Sequence, residues 1–155
     1  MSMVEQRLRE MGIELPPCPV PVAAYVPAAR GGNFIFAAGQ TAIIDDQVVY
    51  KGKLGREYGI EEGYDAARIA AIRVIAELKS IVGDLDRIEQ IVKLTGYVSS
   101  AEGFGDQPKV VNGASELIRN AFGTKGEHAR VAFGVAELPD GAPVEIDVIA
   151  YVSEG

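Results

Sequence analysis

Arginine 130 stands in a run, Ala129 to Leu138, where large and small residues alternate. As a strand, this run puts Arg130, Ala132, Gly134 and Ala136 on one face and Val131, Phe133 and Val135 on the other. Small neighbours leave open space before the guanidinium, whose planar fork suits a carboxylate or phosphate held bidentately. A second run, Pro143 to Val152, aligns Val144, Ile146, Val148, Ala150 and Val152, leaving Glu145, Asp147, Ile149 and Tyr151 opposite. Pro139-Asp140-Gly141 reads as the turn of a hairpin joining the two runs, which sets Glu145 and Asp147 on the face of Arg130. The bland alternative is an exposed ion-pair group worth ~0–1 kcal/mol, and pattern alone leaves both readings open.

His128 precedes Arg130 by two positions and could share its face as a base, but it is the only histidine and stays unassigned. That count excludes a two-histidine nuclease and any histidine-rich metal site. The single cysteine, Cys18, lies in Pro16-Pro17-Cys18-Pro19. It permits no intrachain disulfide or cysteine metal site, and no base stands near it in sequence to make a thiolate. Gly31-Gly32 leads into a strand pattern instead of a helix, so it is a turn and not a phosphate loop.

The elements that must position these residues are legible in outline. Residues 3–12 predict an amphipathic helix ended by Gly12, followed by an extended proline-rich stretch to Pro21. Val22–Ala28 and Asn33–Ala38 predict a hairpin, and a short strand is expected at Gln47–Tyr50. Glu61–Val82 carries Tyr64, Ala67, Ala71, Ile75, Leu78 and Val82 at helical steps and stops at Gly83. Ile91–Ser99 alternates roughly and reads as a strand. Gln107–Phe122 predicts a second long helix, stopped at Gly123. Helices should cover the purely apolar sheet face. The mixed face, with Arg130, Glu145 and Asp147, is left for water, a ligand or another subunit.

A chain of 155 residues fits one domain, 1–155, with 1–21 as a helical and proline-rich N-terminal extension. Net charge is −7 and no Lys/Arg cluster interrupts it, which argues against nucleic acid as a principal partner. No apolar run approaches the roughly 18 residues of a membrane span, and the N-terminus lacks a signal-peptide apolar core, so a cytoplasmic location is expected.

Taken together, several pieces of the chain resemble the RidA/YjgF family. They are Tyr25, the segment Gly32-Asn33-Phe34-Ile35-Phe36-Ala37-Ala38-Gly39-Gln40, Val111-Asn112-Gly113, Ala129-Arg130, and Val135-Ala136-Glu137-Leu138-Pro139 running into Val144-Glu145-Ile146-Asp147. The residue 3–12 helix, Asp106-Gln107-Pro108-Lys109 and His128-Ala129-Arg130 look like a longer-chain branch of it. The resemblance implies an α+β, chorismate-mutase-like fold: a mixed six-stranded sheet with two helices on one face, assembled as a homotrimer with ligand clefts between subunits. It implies an enamine/imine deaminase that turns 2-imino or 2-enamino acids into 2-keto acids and ammonia, with no metal and no cofactor.

In that family the arginine matching Arg130 grips the substrate carboxylate and the glutamate matching Glu145 holds or activates the water. The tyrosine matching Tyr25 walls the cleft, the glycine matching Gly39 offers backbone contacts, and the asparagine matching Asn112 lies nearby. Ala132 stands where the family commonly has a cysteine acting through its backbone, and Ala38 where it commonly has a hydroxyl. Both changes enlarge the expected cleft. The competing readings are a non-catalytic trimer that senses a carboxylate metabolite, and an endoribonuclease or translation inhibitor of the kind named liver perchloric-acid-soluble protein.

Overall fold

A computed structural model describes residues 1–154. Two long helices, α2 (Ile60–Val82) and α3 (Gln107–Phe122), lie on one face of a sheet. Each ends at a glycine with positive φ, Gly83 and Gly123, as the glycine stops predict. Their apolar stripes, including Ala67, Ala71, Ile75 and Leu78 of α2 and Val111, Ala114 and Ile118 of α3, join a single core with the buried strand residues.

A shorter helix, α1 (Met3–Glu10), buries Val4 and Leu8 and covers the far ends of the long helices. Ser2 caps it through Glu5 N at 3.0 Å, and the Asp86 carboxylate accepts from Met3 N (2.8 Å) and Val4 N (3.2 Å). Arg7 donates to the Ala121 carbonyl at 3.2 Å, so α1 docks at the C-terminal end of α3. Asp86→Ala leaves two amides without that acceptor. It should cost about 1 kcal/mol and raise amide exchange in residues 3–10 before the rest of the chain.

The sheet contains β1 (Ala28–Gly31), β2 (Phe34–Ala37), β3 (Gln40–Thr41), β6 (Ile88–Ser99), β7 (Ala129–Val135) and β8 (Val144–Val152). Its path runs β1-β2-β8-β6-β7, with β3 also on β8, while β4 (Ile43–Ile44) and β5 (Gln47–Val48) form a separate pair. All contacts are antiparallel except β6 with β7. The sheet is therefore mixed and six-stranded, as expected.

Three expectations are corrected. Residues 22–27 form no strand: the hairpin is confined to β1 and β2, and Val22 is 98% exposed. β7 and β8 are not a hairpin, because β6 lies between them. The reason is the β6-α3-β7 crossover: a helix of this length returns the chain to run parallel to β6, and the Pro139–Gly141 turn then carries it over β6. Finally, β7 presents the opposite face from the one expected. Arg130 is level with Leu94, which is buried under the helices, whereas Phe133 is level with Tyr97 and 42% exposed. The small residues face α3: a Cβ on Gly134 would lie 3.0 Å from Gln107 Nε2 of that helix.

Candidate functional site

Arg130 leaves the edge strand on the helix side and lies against the N-terminal half of α3. Its Nη1 donates to Asn112 Oδ1 at 2.7 Å and Ser115 Oγ at 3.3 Å, and its Nη2 donates to the Pro108 carbonyl at 3.3 Å. Among the described residues Nε has no hydrogen-bond acceptor, so part of the fork stays available to donate to a ligand. Asn112, Ser115 and Arg119 of α3 line one wall of an open groove of about 320 Å³, and Glu127, His128 and Arg130 line the other.

His128 is tied at both nitrogens: Nδ1 lies 2.6 Å from the Gly126 carbonyl and Nε2 lies 2.9 Å from Ser115 Oγ. Burial pushes its pKa below the usual histidine value, and the charges of Arg130 and Arg119 push the same way against the Gly126 hydrogen bond.

Glu145 and Asp147 occupy the other face of the sheet. Glu145 is level with Tyr97 and Asp147 with Thr95, and the Tyr97 hydroxyl donates to Asp147 at 2.8 Å. Burial raises the pKa of both carboxyls, with Asp147 adding to the shift at Glu145. Gly39 belongs to this side, since a Cβ there would lie 3.0 Å from Glu145 Cδ. The same face exposes Phe34, Phe36, Val131, Phe133 and Tyr151, with edge-to-face pairs Phe34–Tyr151 and Tyr97–Phe133.

Of the residues singled out in the sequence, the fold brings Arg130 to Asn112 and Gly39 to Glu145, as two separate groups. Ala132 packs on the core beside Arg130's strand face, and Tyr25 stands 49% exposed on the irregular arm before β1. The expected sharing of one face by Arg130, Glu145 and Asp147 does not occur within the protomer. Ser115 was not foreseen. Its three-residue step from Asn112 was visible, but its contacts to His128 and Arg130 are tertiary.

The two helices on a mixed six-stranded sheet define a chorismate-mutase-like α+β fold. The profile of the YjgF/chorismate mutase-like family, whose description carries an endoribonuclease label, matches residues 5–150. The chain belongs to that family. Protein TCP17 of Trypanosoma cruzi is 40% identical over 151 residues, covering 97% of this chain and 94% of that protein. Among solved structures, Agrobacterium tumefaciens Atu1372, a protein of unknown function, superimposes with TM-score 0.92 at 38% identity, covering 97% of this chain and 93% of that one. A Shewanella oneidensis protein titled an endoribonuclease gives TM-score 0.93 at 32% identity, covering 96% and 99%.

Proposed function

We propose that this chain is an enamine/imine deaminase that hydrolyses small 2-imino acids to 2-keto acids and ammonia, working in the cytoplasm as a homotrimer. The observation that carries the reading is the Arg130 fork, fixed from behind by Asn112, Ser115 and Pro108 with donor capacity remaining on the groove side. Such a fork suits a substrate carboxylate, and fixing it in advance lowers the ordering cost of binding.

The opposite placement of Glu145 supports assembly. One protomer presents Arg130 and Glu145 on opposite faces of the sheet, so a cleft using both takes Glu145 and Gly39 from a neighbour. The apolar face around Phe36, Val131 and Phe133 is the surface such a neighbour would cover. An iminium carbon is already electrophilic, so holding the carboxylate and one water near an acceptor suffices for a modest acceleration.

The test generates 2-aminoacrylate or 2-iminobutyrate in situ and follows keto-acid release. Wild type should exceed the uncatalysed rate and Arg130→Ala should return to it; equal rates for the two proteins remove the proposal. RNA cleavage abolished by Arg130→Ala would instead favour the label that relatives carry, against a net charge of −7.

A further inference from the structure

Two carboxylates share the sheet face that a neighbour would cover, and their surroundings differ. Asp147 accepts the Tyr97 hydroxyl at 2.8 Å, and both that bond and the charge of Lys93 oppose the effect of burial on it. Glu145 stands two residues earlier on β8, level with Tyr97, where burial and the charge of Asp147 act in the same direction. Resting on the reading of Glu145 as the acceptor for the attacking water, we propose that Tyr97 and Asp147 are its positioning pair. They hold a negative charge beside Glu145 and make it the stronger base of the two carboxylates.

The geometry assigns the roles. A hydroxyl has one proton to give, and Tyr97 reaches diagonally past its opposite number, Glu145, to give it to Asp147. Burial and the Asp147 bond push the phenol up to about 12, so this donor persists wherever the reaction runs. Its ring is held edge to face against Phe133, with centroids 5.3 Å apart. Where two carboxyls stand together, the one given a donor keeps its charge and the other takes the proton. Alternate residues of a strand lie about 7 Å apart, and at that range a half-buried unit charge is worth roughly tenfold in a neighbour's proton affinity.

Few other groups act on Glu145. On β3 its opposite number is Thr41, which is uncharged, and the backbone of Gly39 walls it closely. Between copies, the Arg130 guanidinium of the neighbour favours the charged form until a substrate carboxylate neutralises it. The influence of Asp147 is therefore read in kcat, which reports the substrate complex. As water oxygen bonds to the iminium carbon and the C=N π pair moves to nitrogen, Glu145 takes the water proton. It returns that proton to the amine, whose C–N bond breaks as C=O forms, and the hydroxyl proton leaves with the ammonia as ammonium.

The experiment follows the Glu145 carboxyl by NMR in the chain labelled with glutamate side-chain carboxyl ¹³C, its resonance assigned by its loss in Glu145→Gln. Beside it runs the pH profile of kcat on 2-iminobutyrate made in situ, with 2-ketobutyrate binding as the check that each variant folds. Asp147→Asn should move the Glu145 midpoint and the acid limb of kcat together to lower pH, by about one unit. Plateau kcat should fall by no more than about tenfold, with KM little changed. Tyr97→Phe should move both the same way, and the double variant no further than Asp147→Asn alone. Asp147→Glu, which keeps the charge, should restore the midpoint; a purely structural role would not move it in any variant. A Glu145 midpoint that stays in place in Asp147→Asn overturns the pair and leaves the deaminase reading standing. Full turnover in Glu145→Gln overturns Glu145 as the acceptor instead, so the two failures are distinguishable.

Discussion

Gly113→Ala should lower the stability of the chain by about 2–3 kcal/mol, the upper range of overpacking costs. Gly113 lies where α3 crosses α2, and an added Cβ would sit 2.8 Å from the carbonyl carbon of Tyr64 and 3.2 Å from its Cα. Both atoms are backbone, so no side chain can turn aside and the helices must separate. The better helix propensity of alanine returns about 1 kcal/mol, too little to offset a gap opened between two buried helices. Against a usual total of about 5–15 kcal/mol, the variant should show a lower urea midpoint with an unchanged slope. Gly105→Ala is the control, because nothing lies within 4 Å of the added carbon; its midpoint should stay in place. Equal midpoints for the two variants would mean that α2 and α3 do not touch at Gly113.

The second large effect concerns Glu77, which is completely buried on α2. Gln40 Nε2 donates to its Oε2 at 3.1 Å, and Arg73 Nε holds the other end of that amide at 3.0 Å. Among the described residues Oε1 has no hydrogen-bond partner. Burial dominates and pushes the carboxyl up to about 8, against the opposing pull of Gln40 and Arg73. The folded chain therefore keeps a proton that the unfolded chain releases above its ordinary value near 4.5. Fewer protons on the unfolded state mean that stability falls as pH rises, from about 4.5 until about 8, and is level beyond. At pH 7 the loss is about 3 kcal/mol. Glu77→Gln keeps the shape and cannot ionise, so its stability relative to wild type should climb across that window. A difference curve that is flat from pH 5 to pH 8 would show that Glu77 is ionised in the fold. Subtracting the variant removes the contributions of Glu145, Asp147 and His128, which titrate in both proteins.

The helices were the most legible part of the chain. The apolar residues of Glu61–Val82 and Gln107–Phe122 recur at helical steps and glycines stop them, and observed α2 and α3 agree within a residue. β6 alternated only roughly in the sequence because two register shifts, between Ile88 and Gln90 and between Ile91 and Lys93, turn successive residues out of phase. The orientation of β7 was illegible for a different reason. Small residues allow space for a ligand, but they equally allow a helix to approach, and at Ala132 and Gly134 the helix takes the room. Valine and phenylalanine at 131 and 133 then face outward, a pattern that a single chain does not explain and an assembly would. Arg130 stood out from its small neighbours in the strand pattern and Asn112 from the family resemblance, and their 2.7 Å contact joins them. The Ser115–His128 pairing was hidden because it spans the loop between α3 and β7, a distance that no local period encodes.

The position of β8 bears on how the protein is made. It is the shared neighbour of β2, β3 and β6, and it is translated after all of them. While the ribosome is still synthesising α3 and β7, the inner edges of β2 and β6 carry unpaired backbone groups and cannot close on each other. The helices can dock on β6 early, but the sheet becomes continuous only when Val144–Val152 slides in between. Its long-range pairings should make that insertion the slow step, and a nascent chain halted before it should be the form most in need of a chaperone.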